Sequence, residues 1–341
     1  MTQGGKAQTS GVIDIHTHVV PENFPAYAGK AGGANWPSMV PAEPCHRHVM
    51  VANNVFRTVS HQCWDCNVRQ ADMDRTQVAR QVLSPMPELL SYWFDVEDGA
   101  AICRYLNDVI AEMVARDPTR FSGLGAVPLQ DVDAAIRELE YIMLELKLSG
   151  VEIATNINGR VIGDPQFEPF FAAAERLNAA VFVHPLRPTA TERIVGPGVL
   201  QAALAFPTDT GMAAASMISG GTFAKYPKLR IAYSHGGGTF ASLLPRFQFV
   251  WETLPEMKKA VTLEPKVAAR RMFYDSLVYD RQAAEHLIRV FGEDQVMSGS
   301  DYPFSIMEPE PSKFLDALQV SDQVRDKLRF ANARRWLGLA A

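Results

Sequence analysis

The chain has 341 residues, 47% of them hydrophobic and 21% charged, with a net charge of −5. That balance fits an ordinary globular protein and lacks the basic excess that a nucleic-acid backbone calls for; no run of about 18 apolar residues is present to cross a membrane. The first ten residues are small and polar and lack the apolar core of a secretory signal, so a cytoplasmic location is expected.

Short apolar runs alternate with longer amphipathic segments. In chain order the expected strands are residues 12–16, 80–84, 121–127, 150–155, 180–184, 229–234, 272–275 and 295–300. Each is brief, and most are bounded by Gly, Pro or Asp. The expected helices are residues 96–117, 132–148, 165–177, 199–218, 240–254, 281–291 and 321–330. In the first of these, Ile102, Tyr105, Leu106, Val109, Ile110 and Met113 recur at three- and four-residue spacing, and Pro118 follows the end. Strands alternating with helices predict a parallel sheet with helical crossovers. Eight is the number that closes a TIM barrel, so the expected fold is a (β/α)8 barrel in one domain over residues 1–341. An open doubly wound sheet is the alternative, but it would carry a Gly-rich phosphate loop after the first strand, where this chain has His-Thr-His. Residues 19–66 are too long for an ordinary loop and read as an insertion. Its apolar stretches 49–51 and 55–59 predict a small hairpin capping the barrel mouth.

Four cysteines are too few for a disulfide framework in a chain of this length. Cys63-Trp-Asp-Cys66 has CxxC spacing, but no second pair completes a zinc ribbon, and two buried thiols beside a tryptophan are expected. Cys45-His46-Arg47-His48 reads as a polar piece of the insertion, with capping of the site or a second ion as the alternative.

Chemistry concentrates at strand ends. His16 and His18 are two apart and face one side of the first strand. His184 ends the apolar run Ala-Ala-Val-Phe-Val-His. His235 precedes three glycines, whose freedom permits a sharp turn and a close approach of substrate. Asp301 follows the last strand, which in a closed barrel lies beside the first. Taken singly, these could be packed histidines, a turn residue and a helix cap. Together they stand at the carboxyl ends of strands one, five, six and eight, where barrel active sites lie. Three imidazoles and a carboxylate suit Zn²⁺, with Mn²⁺ as the alternative. Such an ion would bring the pKa of a bound water to about 7. His235, close by but not a ligand, could hold or shuttle a proton.

These motifs (His16-Thr-His18, His184-Pro185, Tyr233-Ser-His235-Gly-Gly-Gly and Gly299-Ser-Asp301-Tyr-Pro-Phe) resemble the amidohydrolase superfamily. More closely they resemble its decarboxylase branch, the one typified by 2-amino-3-carboxymuconate-6-semialdehyde decarboxylase. Phe56-Arg57, Cys63-Trp64-Asp65, Ala71-Asp72-Met73-Asp74 and Gly150-Val151-Glu152-Ile153 extend the likeness over nearly the whole chain. The resemblance implies metal ligation by His16, His18, His184 and Asp301, with His235 as catalytic base or acid. It also implies that Arg57 binds a substrate carboxylate and that Arg246 does so across a homodimer, work suited to the planar guanidinium fork. The chain departs from the family pattern at Leu186 and Arg187, where a tryptophan is expected after His-Pro, and at Asn156, where a histidine is expected. Residues 194–206 also lack expected tryptophans. Asn156, Leu186 and Arg187 are therefore candidate pocket residues that set the substrate.

The expected function is a metal-dependent, non-oxidative decarboxylase of a small unsaturated or aromatic carboxylic acid, in the breakdown of aromatic compounds. A hydrolase of a lactone, cyclic amide or ring-cleavage product would use the same ligands. A non-enzymatic binding protein would not need them intact. No nucleic-acid or membrane partner is expected.

Overall fold

The computed structural model describes residues 11–30, 33 and 35–339. In chain order, β1 (Val12–Val19) leads into an insertion of three short strands, β2 (Ser38–Pro41), β3 (His46–Val51) and β4 (Asn54–Ser60), and then into α1 (Cys66–Thr76). β5 (Val78–Pro85), α2 (Val96–Arg116), β6 (Phe121–Gly125), α3 (Val132–Glu140) and β7 (Gly150–Ala154) follow. A tiny hairpin, β8 (Asn156–Ile157) and β9 (Arg160–Val161), precedes α4 (Glu168–Arg176), β10 (Ala180–His184), α5 (Leu200–Ser219), α6 (Thr222–Lys225) and β11 (Arg230–Tyr233). The chain ends with α7 (Phe240–Thr253), α8 (Pro255–Ala260), α9 (Pro265–Ala269), β12 (Phe273–Asp275), α10 (Arg281–Phe291), β13 (Val296–Met297), α11 (Pro311–Asp316), α12 (Asp322–Asp326) and α13 (Asn332–Leu337).

β1, β5, β6, β7, β10, β11, β12 and β13 form one eight-stranded sheet in that order, with parallel pairing throughout. The seam between the last and first strands is closed by Ile15 N to Ser298 O at 2.9 Å and His18 N to Tyr302 O at 2.8 Å. This is the expected TIM barrel. Each expected strand forms, shorter by one or a few residues at most ends and longer in β1 and β5.

Inside the barrel, Ile13, Ile15, Val82, Leu124, Ala180, Phe182, Ala232 and Met297 pack into one apolar layer that Trp336 of α13 plugs from below. That layer forms the floor under the histidines: the Phe182 ring lies 5.0 Å from that of His16. In β10, Ala180, Phe182 and His184 share the inner face by simple alternation. In β1 the inner residues are Ile13 and Ile15, followed by His16 and His18. A register shift against β5 between Asp14 and Thr17 makes this change of parity possible. Such an irregularity re-aims side chains at a barrel rim.

Besides the short helices α6, α8, α9, α11 and α13 and the β8–β9 hairpin, which were not expected, two differences stand near the barrel mouth. The insertion is a three-stranded antiparallel sheet, because residues 38–41 add an edge strand to the hairpin. The flanking Pro37 and the terminal Pro41 confine that strand to an edge. α1 was not expected, since its sequence is polar and lacks an apolar stripe. Its start is marked instead by Asp65, whose carboxylate accepts from Asn67 N at 2.8 Å. α1 buries Arg69, whose guanidinium donates to the His18 carbonyl and to Gln81 Oε1. All four cysteines are free thiols, with Cys45 exposed and Cys63, Cys66 and Cys103 buried. Among the described residues, no helix is long and apolar enough to cross a membrane.

Candidate functional site

The three strand-end histidines each have Nδ1 occupied. His16 Nδ1 donates to Asp275 Oδ2 at 2.7 Å, His18 Nδ1 to the Pro85 carbonyl at 3.2 Å, and His184 Nδ1 to the Pro185 carbonyl at 2.9 Å. These bonds fix the tautomer and leave each Nε2 free as a donor of electrons. The Nε2 atoms of His16 and His18 are 3.2 Å apart. Asp301 Oδ1 lies 3.4 Å from the first and 3.0 Å from the second. His184 Nε2 is buried with no hydrogen-bond partner among the described residues. One ligand atom from each of His16, His18, His184 and Asp301 falls within 4.8 Å of all the others. Tetrahedral ligands about 2.0–2.1 Å from a zinc ion would stand about 3.3 Å apart, close to the three separations among His16, His18 and Asp301.

The electrostatics ask for a cation. Burial opposes charge on His16, but hydrogen bonds to Asp275 and Asp301 outweigh it and push its pKa up to about 10. Burial also opposes charge on Asp301, yet the two imidazoles hold its carboxyl well below the usual range. His18 and His184 are both pushed down, chiefly by burial. Two carboxylates thus face one imidazole that takes up a proton where a cation is wanted, and two that stay neutral.

His235 sits beside the ligands, its ring 5.1 Å from that of His184 and 5.4 Å from that of His16. Burial and the charge on His16 push its pKa down to about 4, so it is neutral at pH 7. It has φ +54, and three consecutive glycines with positive φ follow. At Gly238 a Cβ would meet the Pro207 carbonyl oxygen at 1.9 Å. The glycine run thereby lets α5 close against the turn that presents His235. Asp275 anchors the same turn, accepting from His235 N at 3.0 Å and Gly236 N at 2.7 Å.

A cavity of about 740 Å³ opens above these groups, with His184, His235 and Asp301 in its floor and Arg57, Leu186 and Arg187 in its wall. Arg57 reaches in from the cap sheet, its Cζ 4.4 Å from the Phe304 ring centre and its Nη2 3.5 Å from Glu88 Oε1. His46 also lines the rim. The other polar residues of its segment are spent locally, Arg47 on Glu22 and His48 on Thr58, and the described residues offer no second group of metal-ligating side chains. Asn156 does not line the cavity. Its Nδ2 donates to Asp209 Oδ2 and to the Leu186 carbonyl, and its Oδ1 accepts from Gly159 N. Arg246 is exposed on α7 and also stands outside this cavity.

Reading the strands by their ends misses two acidic residues here. Asp275 ends β12 and would have been found by applying the strand-end rule to every strand. Glu152 stands in the apolar run Gly-Val-Glu-Ile-Ala, where a lone charge is itself the signal. It is fully buried, 3.9 Å from His18 Nδ1, and burial pushes its pKa up to about 8.

Comparison with known proteins agrees with this geometry. An amidohydrolase family model matches residues 13–339. The 2-amino-3-carboxymuconate-6-semialdehyde decarboxylase of Dictyostelium discoideum is 35% identical over 96% of this chain and 91% of its own. The crystal structure of 5-carboxyvanillate decarboxylase from Sphingomonas paucimobilis superposes with a TM-score of 0.80 at 25% identity, over 97% of this chain and 99% of that one. The enzyme of the same name from Novosphingobium aromaticivorans, solved with manganese and 4-hydroxy-3-methoxy-5-nitrobenzoic acid, gives a TM-score of 0.72 at 26% identity, over 82% of each chain.

Proposed function

The chain belongs to the amidohydrolase family, and on that premise we propose that it is a metal-dependent, non-oxidative decarboxylase of a small unsaturated or aromatic carboxylic acid. The observation that carries this reading is the convergence of three imidazole Nε2 atoms and one carboxylate oxygen under a cavity walled by arginine. We assign His16, His18, His184 and Asp301 as ligands of a divalent ion. The N3O donor set suits zinc, while the manganese in the Novosphingobium enzyme supports Mn²⁺ as the alternative. When bound, such an ion acts as a Lewis acid that draws electron density from a substrate oxygen or nitrogen near the scissile bond.

The chain's own residues do the rest. Arg57 binds a substrate carboxylate and orients it over the floor. As the carbon–carbon bond breaks, CO₂ leaves and its bonding pair stays on the unsaturated carbon, which then takes up one proton. His235 passes that proton. Its low pKa makes the charged form a strong donor, and its neutral resting form does not repel a neighbouring cation. Its Nδ1 is 3.2 Å from Ser234 Oγ, so Nε2 is the nitrogen free to face the substrate.

We further propose a homodimer in which Arg246 enters the partner's cavity. Arg246 lies on α7 between the exposed Leu243 and Phe249, and α5 exposes Leu204 and Met212, an apolar set that supports burial against a second copy. Four unbridged thiols support a reducing, cytoplasmic setting.

The test is CO₂ release from muconate-like and hydroxybenzoate-like acids by protein stripped with chelator and reloaded with zinc or manganese. Activity should vanish with the metal and return with it; full activity in the stripped protein refutes the assignment.

A further inference from the structure

Resting on the decarboxylase reading, we propose that Arg187, stacked on Trp93, forms a specificity subsite within the same subunit that binds an anionic group of the substrate other than the carboxylate held by Arg57.

Arg187 Cζ stands 3.4 Å from the centre of the Trp93 ring, and both residues line the cavity above the metal-ligand cluster. Stacking holds the guanidinium plane and leaves its edge free. No hydrogen bond or ion pair to that guanidinium is found among the described residues. The Glu88 carboxylate acts on both arginines through space, but its ion pair is with Arg57 at 3.5 Å, which leaves the Arg187 N–H donors unused. An oriented fork with unused N–H donors on a cavity wall is a receptor for a carboxylate.

The backbone around it is built to hold this pose. Arg187 has φ +44, a left-handed conformation uncommon for a residue with a long side chain. The loop carrying it is pinned on both sides. Thr189 Oγ1 donates to Asp209 Oδ1 at 2.9 Å, and Asn156 Nδ2 donates both to Asp209 Oδ2 at 2.9 Å and to the Leu186 carbonyl at 3.2 Å. Thr155 Oγ1 adds a third bond to the same carboxylate at 2.5 Å. Asp209 is thus a positioning residue, acting on the subsite through Asn156 and Thr189.

The test is calorimetric binding of isophthalate and of benzoate to the full-length, manganese-loaded protein. These two acids differ by one carboxylate. The wild type should bind isophthalate about 10- to 100-fold more tightly than benzoate, the range for one charge-assisted contact. Arg187→Gln should bring that ratio close to one, Arg187→Lys should restore part of it, and Trp93→Leu should lower it by loosening the guanidinium. Equal binding of the two acids by the wild type overturns the proposal without any variant being needed, as does an unaltered ratio in Arg187→Gln. The outcome is independent of turnover. A ratio that depends on Arg187 in a protein that releases no CO₂ upholds the subsite and removes the reaction; CO₂ release with no such ratio does the reverse.

Discussion

Replacing Asp275 by asparagine tests how the site selects the metal-binding form of His16. The carboxylate accepts four bonds: His16 Nδ1 at 2.7 Å and His235 N at 3.0 Å on Oδ2, and Gly236 N at 2.7 Å and Leu277 N at 3.1 Å on Oδ1. An amide has one acceptor oxygen and one donor NH₂. Facing the NH₂ toward His16 reverses that bond, so the ring must carry its hydrogen on Nε2, where a metal ligand needs a lone pair. Facing it the other way sets it against two backbone N–H groups. Either orientation leaves two of the four donors without their acceptor or drives the imidazole into the wrong tautomer. Loss of such an outer partner lowers metal affinity about 10- to 100-fold, and each buried donor left unpaired costs about 1–3 kcal/mol. Competition with a fluorescent zinc chelator would read the affinity, and a thermal melt in excess metal would read the stability. An Asp275→Asn protein that held metal as tightly as the wild type would refute the claim that Asp275 sets the tautomer.

Three further outcomes are expected. The metal-free protein should lose thermal stability as pH rises from about 6.5 toward 10. His16 has its folded pKa raised from 6.5 to about 10, so its contribution is full below 6.5 and lost through that window. Glu152, raised from 4.5 to about 8, keeps its proton in the folded state and acts in the same direction below pH 8. The loaded protein, its imidazole committed, should have a flatter profile; identical profiles would argue against ligation by His16. Ellman's reagent should titrate one thiol rapidly, the exposed Cys45, and the other three only after denaturation, since burial pushes the thiol pKa of Cys63 up to about 12 and that of Cys103 well above its usual value. Arg246→Ala and His235→Ala should each lose at least about tenfold in kcat/KM as separate dimers, and mixing them should restore part of it through hybrids with one intact site. No recovery after subunit exchange would remove Arg246 from the partner's cavity.

The barrel and its chemistry were legible to different depths. Apolar strands with turn residues at their ends are local signals, and all eight barrel strands could be found from them. His16, His18, His184 and Asp301 follow once the strands are placed, because a barrel collects its carboxyl ends in one ring. The parity change in β1 was not legible, since a bulge is set by pairing against β5 and leaves no mark in the composition of β1. α1 was hidden because its inner face buries Arg69 rather than an aliphatic stripe. Asn156 and Arg187 drew notice as departures from a family pattern. What each does depends on contacts with Asp209 and Trp93, more than fifty residues distant in one case and ninety in the other, and no local pattern carries that.

The seam between β13 and β1 makes assembly of the site a matter of timing. Along the chain His16 and His18 come before His184, and Asp301 comes after all three. A nascent chain can therefore offer two imidazoles early but cannot surround an ion until Asp301 has left the ribosome. An ion bound by all four residues would fasten the two ends of the sheet to each other, and its binding energy would add to the stability of the closed ring. Prematurely terminated chains would lack both the last strand and the clasp, so they would neither retain metal nor shut the barrel. Occupancy of the site would then report that synthesis had passed the last barrel strand.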